Sequence, residues 1–258
     1  MEFFDTHAHY DDSHFDNDRE EIIKKIFEAG VTKCIDVGCD IETSKKAIQI
    51  ANEHDFMYAI CGIHPNEIAL TEKEIDEEIL QIKKLILENK KVVAVGEIGL
   101  DYHYEDGPAT ELQKYAFIKQ IELANELKLP ISIHTRDAID DTIAIIRAHR
   151  LEKSGVLHCC PFNRELVKHG LENGLYIAFG GTSTFKNARN ACEIVQMVPL
   201  DKILIETDCP YLAPEPFRGT RNDSSNLKYV VQKLAEFKNI EPEEMAKITY
   251  NNGENLFL

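Results

Sequence analysis

The feature that most constrains the fold is an alternation of short apolar stretches with longer amphipathic ones along the whole chain. The apolar stretches have the length and bounding residues of buried strands, and the amphipathic stretches carry apolar residues at helical spacing. The predicted strands are the opening stretch 3–10 and residues 32–37, 57–61, 91–96, 131–133, 155–157, 175–178 and 202–205. Because this alternation is typical of parallel sheets with helical crossovers, we expect an α/β fold.

The helical segments are marked by their ends as well as by their periodicity. A helix over residues 17–29 stops before Gly30, and capping boxes predict helix starts at Thr71 and Thr110. Further helices are predicted over residues 42–53, 137–150, 163–172 and 226–237, and a short terminal helix is predicted to begin at Pro242.

Eight such strand–helix units within 258 residues indicate a single domain, residues 1–258, folded as a closed (β/α)8 TIM barrel. An open doubly wound sheet is the rival architecture. The chain has no G-x-G-x-x-G or Walker A sequence to bind a nucleotide on an open sheet, which favours the barrel.

Composition limits where the protein acts and what it binds. The chain has no apolar run of about 18 residues and no basic amino-terminal segment, so we expect neither a membrane span nor a signal peptide. Its seven scattered cysteines are typical of reduced thiols in the cytoplasm. A net charge of −16 disfavours nucleic acid unless a local basic patch or bound cations compensate.

His7 and His9 are the first candidate metal ligands. They end the opening apolar stretch, and because residues i and i+2 of a strand share one face, their imidazoles should converge. An isolated His-x-His is equally compatible with two ordinary polar residues at a strand end. The pair therefore needs support from elsewhere in the chain.

That support comes from the residues predicted to follow other strands, because the active site of such a barrel lies at the carboxyl ends of its strands. These residues are Glu97, His134, His158 and Asp208. A ring of nitrogen and oxygen donors without cysteine suits Zn²⁺, Mn²⁺ or Mg²⁺. We expect two ions bridged by Glu97, with His7, His9 and Asp208 around one ion and with His134 and His158 around the other.

The chain resembles the TatD family of metal-dependent hydrolases, within the wider amidohydrolase-like barrels. The matching motifs span nearly the whole chain in the family's order: Phe4-Asp5-Thr6-His7-Ala8-His9, Gly62-Ile63-His64-Pro65, Gly96-Glu97-Ile98-Gly99-Leu100-Asp101-Tyr102, Ile133-His134-Thr135-Arg136, Leu157-His158-Cys159, Thr184-Phe185-Lys186-Asn187 and Glu206-Thr207-Asp208. The resemblance implies the same six ligands. It also implies Mg²⁺-dependent deoxyribonuclease activity, in some members 3′ to 5′ on single strands, and in others deacylation of mischarged tRNA.

The chain departs from the family pattern in loops that face the substrate. Asn66 stands where a second histidine is frequent, Cys160-Pro161-Phe162 replaces Phe-Ser-Gly, and Asp223-Ser224 replaces Glu-Pro. None of these departures removes a ligand. They bear on the substrate rather than on the chemistry.

The leading hypothesis is hydrolysis of DNA phosphodiester bonds, with single-stranded ends as substrate and no obligatory protein partner. Asp208 orients or deprotonates the attacking water, Arg136 clamps phosphate, and His64 either binds phosphate, protonates the leaving oxygen or is structural. Basic residues that form either a DNA path or a solvated rim are Lys186, Arg218 and Arg221, and stacking faces are offered by Tyr102, Tyr211 and Phe217.

The alternatives are a metal-dependent amide or ester hydrolase, such as a D-aminoacyl-tRNA deacylase, and a catalytically idle metal-binding scaffold.

Overall fold

Eight parallel strands surround the centre of the molecule in the computed structural model, which describes residues 1–258. They pair in chain order, from β1 with β2 to β7 with β8. The strands are β1 Phe3–Ala8, β2 Val31–Val37, β3 Met57–Cys61, β4 Val92–Asp101, β5 Ile131–Arg136, β6 Gly155–Leu157, β7 Tyr176–Phe179 and β8 Ile203–Ile205. The predicted (β/α)8 barrel is confirmed, as a nearly closed barrel.

The helices alternate with the strands, and a final helix follows the eighth unit. They are α1 Arg19–Glu28, α2 Ile41–Glu53, α3 Glu72–Glu88, α4 Thr110–Leu127, α5 Ile139–Ala148, α6 Arg164–Glu172, α7 Ala191–Met197, α8 Leu227–Lys238 and α9 Pro242–Phe257. None of them combines the length and the apolar character that crossing a bilayer requires.

Individual hydrogen bonds, rather than a strand ladder, join β8 to β1. Thr6 Oγ1 donates to the carbonyl of Ile205 at 2.9 Å. Beyond β8, the backbone N–H of Asp208 donates to His7 O at 2.9 Å, and the N–H of His9 donates to Cys209 O at 2.8 Å. This seam places the first strand's two histidines directly beside Asp208.

The core has two parts. A large apolar cluster packs between the strands and the helices, and a smaller one gathers residues such as Phe4, Ile60 and Leu204. Helix α9 covers Phe4 with Tyr250 and Phe257, whose ring centroids lie 6.1 and 6.3 Å from that of Phe4. Gly253 permits the approach, because a Cβ there would lie 2.5 Å from a carbon of the Phe4 ring.

Two strands are longer than predicted, so two candidate ligands lie within strands rather than after them. β4 continues from Gly96 to Asp101 and includes Glu97, and β5 continues to Arg136 and includes His134. Gly99 makes the extension possible, because a Cβ at that position would lie 1.9 Å from the carbonyl oxygen of His134. The glycines of β4 therefore allow close strand pairing, whereas the prediction ended the strand at the first of them.

The helices differ from the prediction in three respects. The expected capping box at Thr110 is absent: α4 begins at that residue, and Gln113 Oε1 instead accepts from the Asp101 N–H at 2.8 Å. No helix was predicted between β7 and β8, where α7 lies. The terminal helix from Pro242 has 16 residues rather than a few, because its apolar face covers one end of the barrel.

Candidate active site

Glu97 lies at the centre of the six predicted ligands, and its two carboxylate oxygens face different histidines. Oε2 is 3.3 Å from His7 Nε2 and 3.8 Å from His9 Nε2. Oε1 is 2.7 Å from His134 Nδ1 and 3.2 Å from His158 Nε2. One buried carboxylate therefore separates two groups of imidazole nitrogens.

Asp208 joins the first of these groups. Its Oδ1 is 3.3 Å from His9 Nε2 and 4.0 Å from His7 Nε2, and the two histidine Nε2 atoms are 3.2 Å apart. The residue has a left-handed backbone with φ of 55°, a conformation that asparagine and aspartate adopt more readily than most residues. The structure thus brings all six sequence-predicted ligands together.

The donor set fits divalent cations. His9 Nδ1 lies 2.8 Å from the carbonyl oxygen of Val37, so it carries a proton, and Nε2 is the nitrogen that faces the oxygens of Glu97 and Asp208 and is placed to bind a cation between them. Buried carboxylate oxygens and imidazole nitrogens that face one another this closely are suited to hold a cation among them.

Glu206 and Asp101 support the histidines and had no role in the sequence analysis. Glu206 Oε2 is 3.3 Å from His158 Nδ1, and its Oε1 accepts from the Cys159 N–H at 2.6 Å. Asp101 Oδ2 is 3.4 Å from His134 Nε2 and accepts from Asn66 Nδ2 at 2.9 Å. Both lie in motifs quoted above, but carboxylates behind a metal site are identified by their contacts rather than by their spacing.

Cys39 is the other residue that the sequence analysis missed, because the donor ring was expected to lack cysteine. It follows β2, and its Sγ lies 3.9 Å from Glu97 Oε2. Cys39 was not singled out because the residues chosen at strand ends were histidines and carboxylates, and it lies two residues beyond the end of β2, with Gly38 between them.

The electrostatics of the site keep its carboxylates ionised. Burial alone would raise the pKa of Glu97, but the facing imidazoles of His158 and His7 hold this pKa well below its ordinary value. Burial also opposes ionisation of Asp208, yet its interaction with His9 lowers the pKa. Both residues are therefore available as anionic donors at neutral pH.

His64 lies beside the same carboxylate. Its Nε2 is 3.8 Å from Glu97 Oε1, and its Nδ1 accepts from the Asn66 N–H at 3.2 Å. Burial lowers the pKa of His64 to about 4, so the ring is neutral at pH 7 and carries its proton on Nε2. The residue can donate one hydrogen bond into the site.

Arg136 lies on the rim of a cavity of about 720 Å³ that reaches the site at His134, His158 and Asp208. Its guanidinium carbon is 5.4 Å from the centre of the Tyr104 ring, and Nη1 donates to Tyr104 Oη at 3.3 Å. A supported guanidinium at a cavity mouth can bind an anionic group with two donors.

The other predicted basic residues have different surroundings. The Arg218 guanidinium lies 4.3 Å from the Phe185 ring centre and lines a second cavity of about 550 Å³, which shares Phe185 and Tyr211 with the first. Arg221 lines the same second cavity but donates to both carboxylate oxygens of Asp18, at 2.9 and 2.5 Å. Lys186 is exposed on the segment before α7.

The aromatic residues predicted to stack on bases also differ in their surroundings. Tyr211 is 48% exposed between the two cavities, and Phe217 is 39% exposed on the same connection. Tyr102 donates its hydroxyl to Asp141 at 2.9 Å and does not line either cavity. Phe185 lines both cavities and offers an aromatic face that the sequence analysis had not included.

Comparison with known proteins shows which family the chain is related to. A sequence model of the family described as TatD related DNase matches residues 4–258. The uncharacterized metal-dependent hydrolase YabD of Bacillus subtilis is 43% identical over 98% of both chains, and YcfH of Escherichia coli, described in the same words, is 35% identical over the whole of this chain and 96% of its own. The crystal structure of YJJV, a TatD homolog from Escherichia coli, has a TM-score of 0.91 at 30% identity and covers 99% of this chain and 97% of its own. The chain belongs to the TatD family of metal-dependent hydrolases.

Proposed function

We propose that the protein is a deoxyribonuclease that hydrolyses phosphodiester bonds at single-stranded DNA ends, using two divalent cations. The observation that carries the proposal is that the two carboxylate oxygens of Glu97 face separate groups of histidines. This carboxylate lies next to a cavity that has Arg136 on its rim. A bridging carboxylate is a common way to hold two ions about 4 Å apart in enzymes that cleave phosphodiesters.

The residues divide into two cation sites. The first is formed by His7, His9, Glu97 Oε2 and Asp208, and the second by Glu97 Oε1, His134 and His158. Mg²⁺, Mn²⁺ and Zn²⁺ are all compatible with nitrogen and oxygen donors of this kind. Cations bound there would polarise a phosphoryl oxygen and lower the pKa of a water molecule toward neutrality.

Three side chains act on the substrate and the water. Asp208 is ionised and at the edge of the cavity, so it orients the attacking water and accepts its proton. Arg136 binds non-bridging phosphate oxygens at the cavity mouth. His64 is neutral with a proton on Nε2, so it donates a hydrogen bond to the phosphate or to the leaving oxygen.

The family description, TatD related DNase, supports DNA as the substrate. A chain of net charge −16 repels a polyanion at long range, so the DNA must meet local positive charge. Arg136 and Arg218, with the faces of Phe185 and Tyr211 between them, offer a short basic and aromatic path across the two cavities. Such a path fits a few nucleotides of single strand.

The test is digestion of end-labelled single-stranded DNA by chelator-stripped protein, with and without Mg²⁺ or Mn²⁺. Hydrolysis should require the cation, and labels at the 3′ and 5′ ends separate the two directions of attack. Asp208→Asn should lose most of the activity, about 100-fold or more for a proton-transfer group. Asp201→Asn is the matched control, because Asp201 is an exposed carboxylate before the opposite end of β8. Metal-independent cleavage, or an unchanged Asp208 variant, would refute the mechanism.

A second candidate is hydrolysis of an ester or amide, such as the ester bond of a mischarged D-aminoacyl-tRNA. The apolar wall of the larger cavity, formed in part by Ile139, Phe162 and Phe185, favours it because an amino-acid side chain could pack there. The same preparations can be assayed on D-aminoacyl-tRNA. Turnover of that substrate without cleavage of DNA would replace the nuclease assignment by this one.

A further inference from the structure

The thiol of Cys39 is held at the cation site by a fixed backbone. The Cys39 N–H donates to Thr43 Oγ1 at 2.9 Å, and the Cys39 carbonyl accepts from the His64 N–H at 2.7 Å. Thr43 in turn forms the capping box of α2 with Asp40. The position of Sγ is therefore set by the start of a helix and the end of the neighbouring strand, not by a mobile loop.

Cys39 Sγ faces the carboxylate oxygen that also faces His7 and His9. It is 3.9 Å from Glu97 Oε2, and a donor atom of His9 completes a group of three atoms that all lie within 4.8 Å of one another. Two equatorial ligand atoms about 2.1–2.3 Å from a five-coordinate ion, about 120° apart, lie about 3.6–4.0 Å from each other. The sulfur is thus spaced from Glu97 as a fellow ligand would be.

Other donor separations in this group follow the same spacing. The pairs formed by His7, His9, Glu97 and Asp208 lie 3.2–4.0 Å apart where their donor atoms approach. His9 Nε2 faces carboxylate oxygens of both Glu97 and Asp208, at 3.8 and 3.3 Å, so these three residues converge on one point where a cation can lie. Cys39 therefore lies beside four residues whose arrangement suits a cation even without the thiol.

We propose that Cys39 is a fifth protein ligand of the cation held by His7, His9, Glu97 and Asp208, an inference that rests on the proposed cation site. On binding, the Sγ–H bond breaks, its proton passes to solvent, and an Sγ–metal bond forms in place of one water ligand. Because a thiolate is a soft donor, this position selects Zn²⁺ or Co²⁺ over Mg²⁺.

The test is titration of the chelator-stripped full chain with Co²⁺, followed by absorption spectroscopy. Cobalt bound by a thiolate shows a near-ultraviolet sulfur-to-cobalt band in addition to its visible bands. We expect the band in the wild type, its loss in Cys39→Ser, and its retention in Cys159→Ser, which alters the other thiol at the site's edge. Zn²⁺ affinity, from competition with a chelator, should fall about tenfold or more in Cys39→Ser, since even residues behind ligands contribute that much.

The outcomes separate this inference from the proposed function. Cobalt binding without the sulfur band, or a band that survives in Cys39→Ser, overturns the ligand assignment and leaves the hydrolase proposal standing. A band that depends on Cys39, in a protein that cleaves no DNA, supports the ligand and refutes the nuclease. If Cys39→Ser fails to fold, X-ray absorption of the zinc-loaded wild type decides: a sulfur scatterer at about 2.3 Å is expected, and its absence overturns the proposal.

Discussion

At the scale of single residues, the site depends on which nitrogen of each imidazole keeps its proton. Glu206 Oε2 accepts from His158 Nδ1, which makes His158 Nε2, facing Glu97, the nitrogen placed to bind a cation. The Val37 carbonyl does the same for His9. These partners fix the rings as ligands, because a ring with the opposite proton placement presents a donor where a cation needs a lone pair.

Glu206→Gln should weaken the second cation site. The short bond from the Cys159 N–H retains the amide oxygen of glutamine, so the amide nitrogen faces His158 Nδ1 and moves the proton to Nε2. We expect affinity for the second cation to fall about 10–100-fold, measured by calorimetric titration with Mn²⁺. Glu193→Gln, at an exposed carboxylate on α7, is the control. Equal affinities in the two variants would exclude this role for Glu206.

Arg136→Ala should raise KM for single-stranded DNA about tenfold, the loss expected for charge-assisted hydrogen bonds of roughly 1.5 kcal/mol. Arg136→Lys should recover part of the loss, because lysine keeps the charge without the paired donors. Steady-state kinetics on a short oligonucleotide give both values, with Arg147→Ala on α5 as the control. A KM that is the same in wild type and Arg136→Ala means that this residue does not bind phosphate.

At the scale of elements, the connections after β7 and β8 form the proposed substrate surface. The connection after β7 contributes Phe185, and the one after β8 contributes Tyr211 and Arg218. Arg218 has no carboxylate partner, whereas Arg221, three residues later, is paired with Asp18. Neighbouring arginines on one connection therefore serve different purposes.

Arg218→Ala should weaken binding of single-stranded DNA and reduce the dependence of log K on log salt by about 0.7, the contribution of one phosphate contact. Arg221→Ala should leave that slope unchanged and lower the unfolding free energy by under about 1 kcal/mol, as for other exposed ion pairs. Fluorescence anisotropy over a range of salt concentrations measures the slope. Reversed effects of the two substitutions would contradict the assignment.

The elements also show how far the sequence could be interpreted. Apolar runs predicted all eight strands because periodicity reports burial directly, and β3 and β6 match to the residue. β4 and β5 were cut short because Gly99 acts through its contact with His134, a partner in another strand. Thr110 failed as a cap because Gln113 bonds to Asp101 instead. The local sequence pattern therefore predicts strands and helices, but it misplaces their ends where a tertiary contact determines them.

At the scale of the whole molecule, closure of the barrel and assembly of the site are the same event. Asp5 accepts four hydrogen bonds at the seam, from His7 N, Thr207 N, Thr207 Oγ1 and Ser224 Oγ. The two bonds from Thr207 tie β1 to the segment after β8 that carries Asp208. The site residues come from distant parts of the chain, so the seam sets the distance between the first two histidines and Asp208.

Asp5→Ala should destabilise the fold by at least about 3 kcal/mol, because it leaves several buried donors without an acceptor. Thr6→Val removes a single bond to the Ile205 carbonyl and should have an effect of about 1–3 kcal/mol. Urea denaturation measures both, with the exposed Asp201→Ala as the reference. An Asp5 variant as stable as this reference would show that other contacts, not those of Asp5, hold β1 against the segment after β8.

That the six candidate ligands lie together could be predicted from sequence because the barrel rule brings strand ends together, whatever their separation along the chain. Glu206 and Asp101 could not, because support for an imidazole is a matter of side-chain direction. Cys39 was not singled out because its position beside Glu97 depends on the turn before α2, a tertiary contact that no local sequence pattern shows. The positions of the candidate ligands follow from the topology of the barrel. The residues that contact and orient those ligands follow from side-chain packing.

The most direct test of the central claim is the number and coupling of cations on the chelator-stripped chain, measured by Mn²⁺ titration with electron paramagnetic resonance. If Glu97 bridges two sites, the wild type binds two Mn²⁺ per chain and shows an exchange-coupled spectrum, as expected for ions about 3.5–4 Å apart. Glu97→Ala should abolish the coupling. A single bound ion at saturation, or two ions without coupling, would contradict the two-cation site on which the proposed function stands.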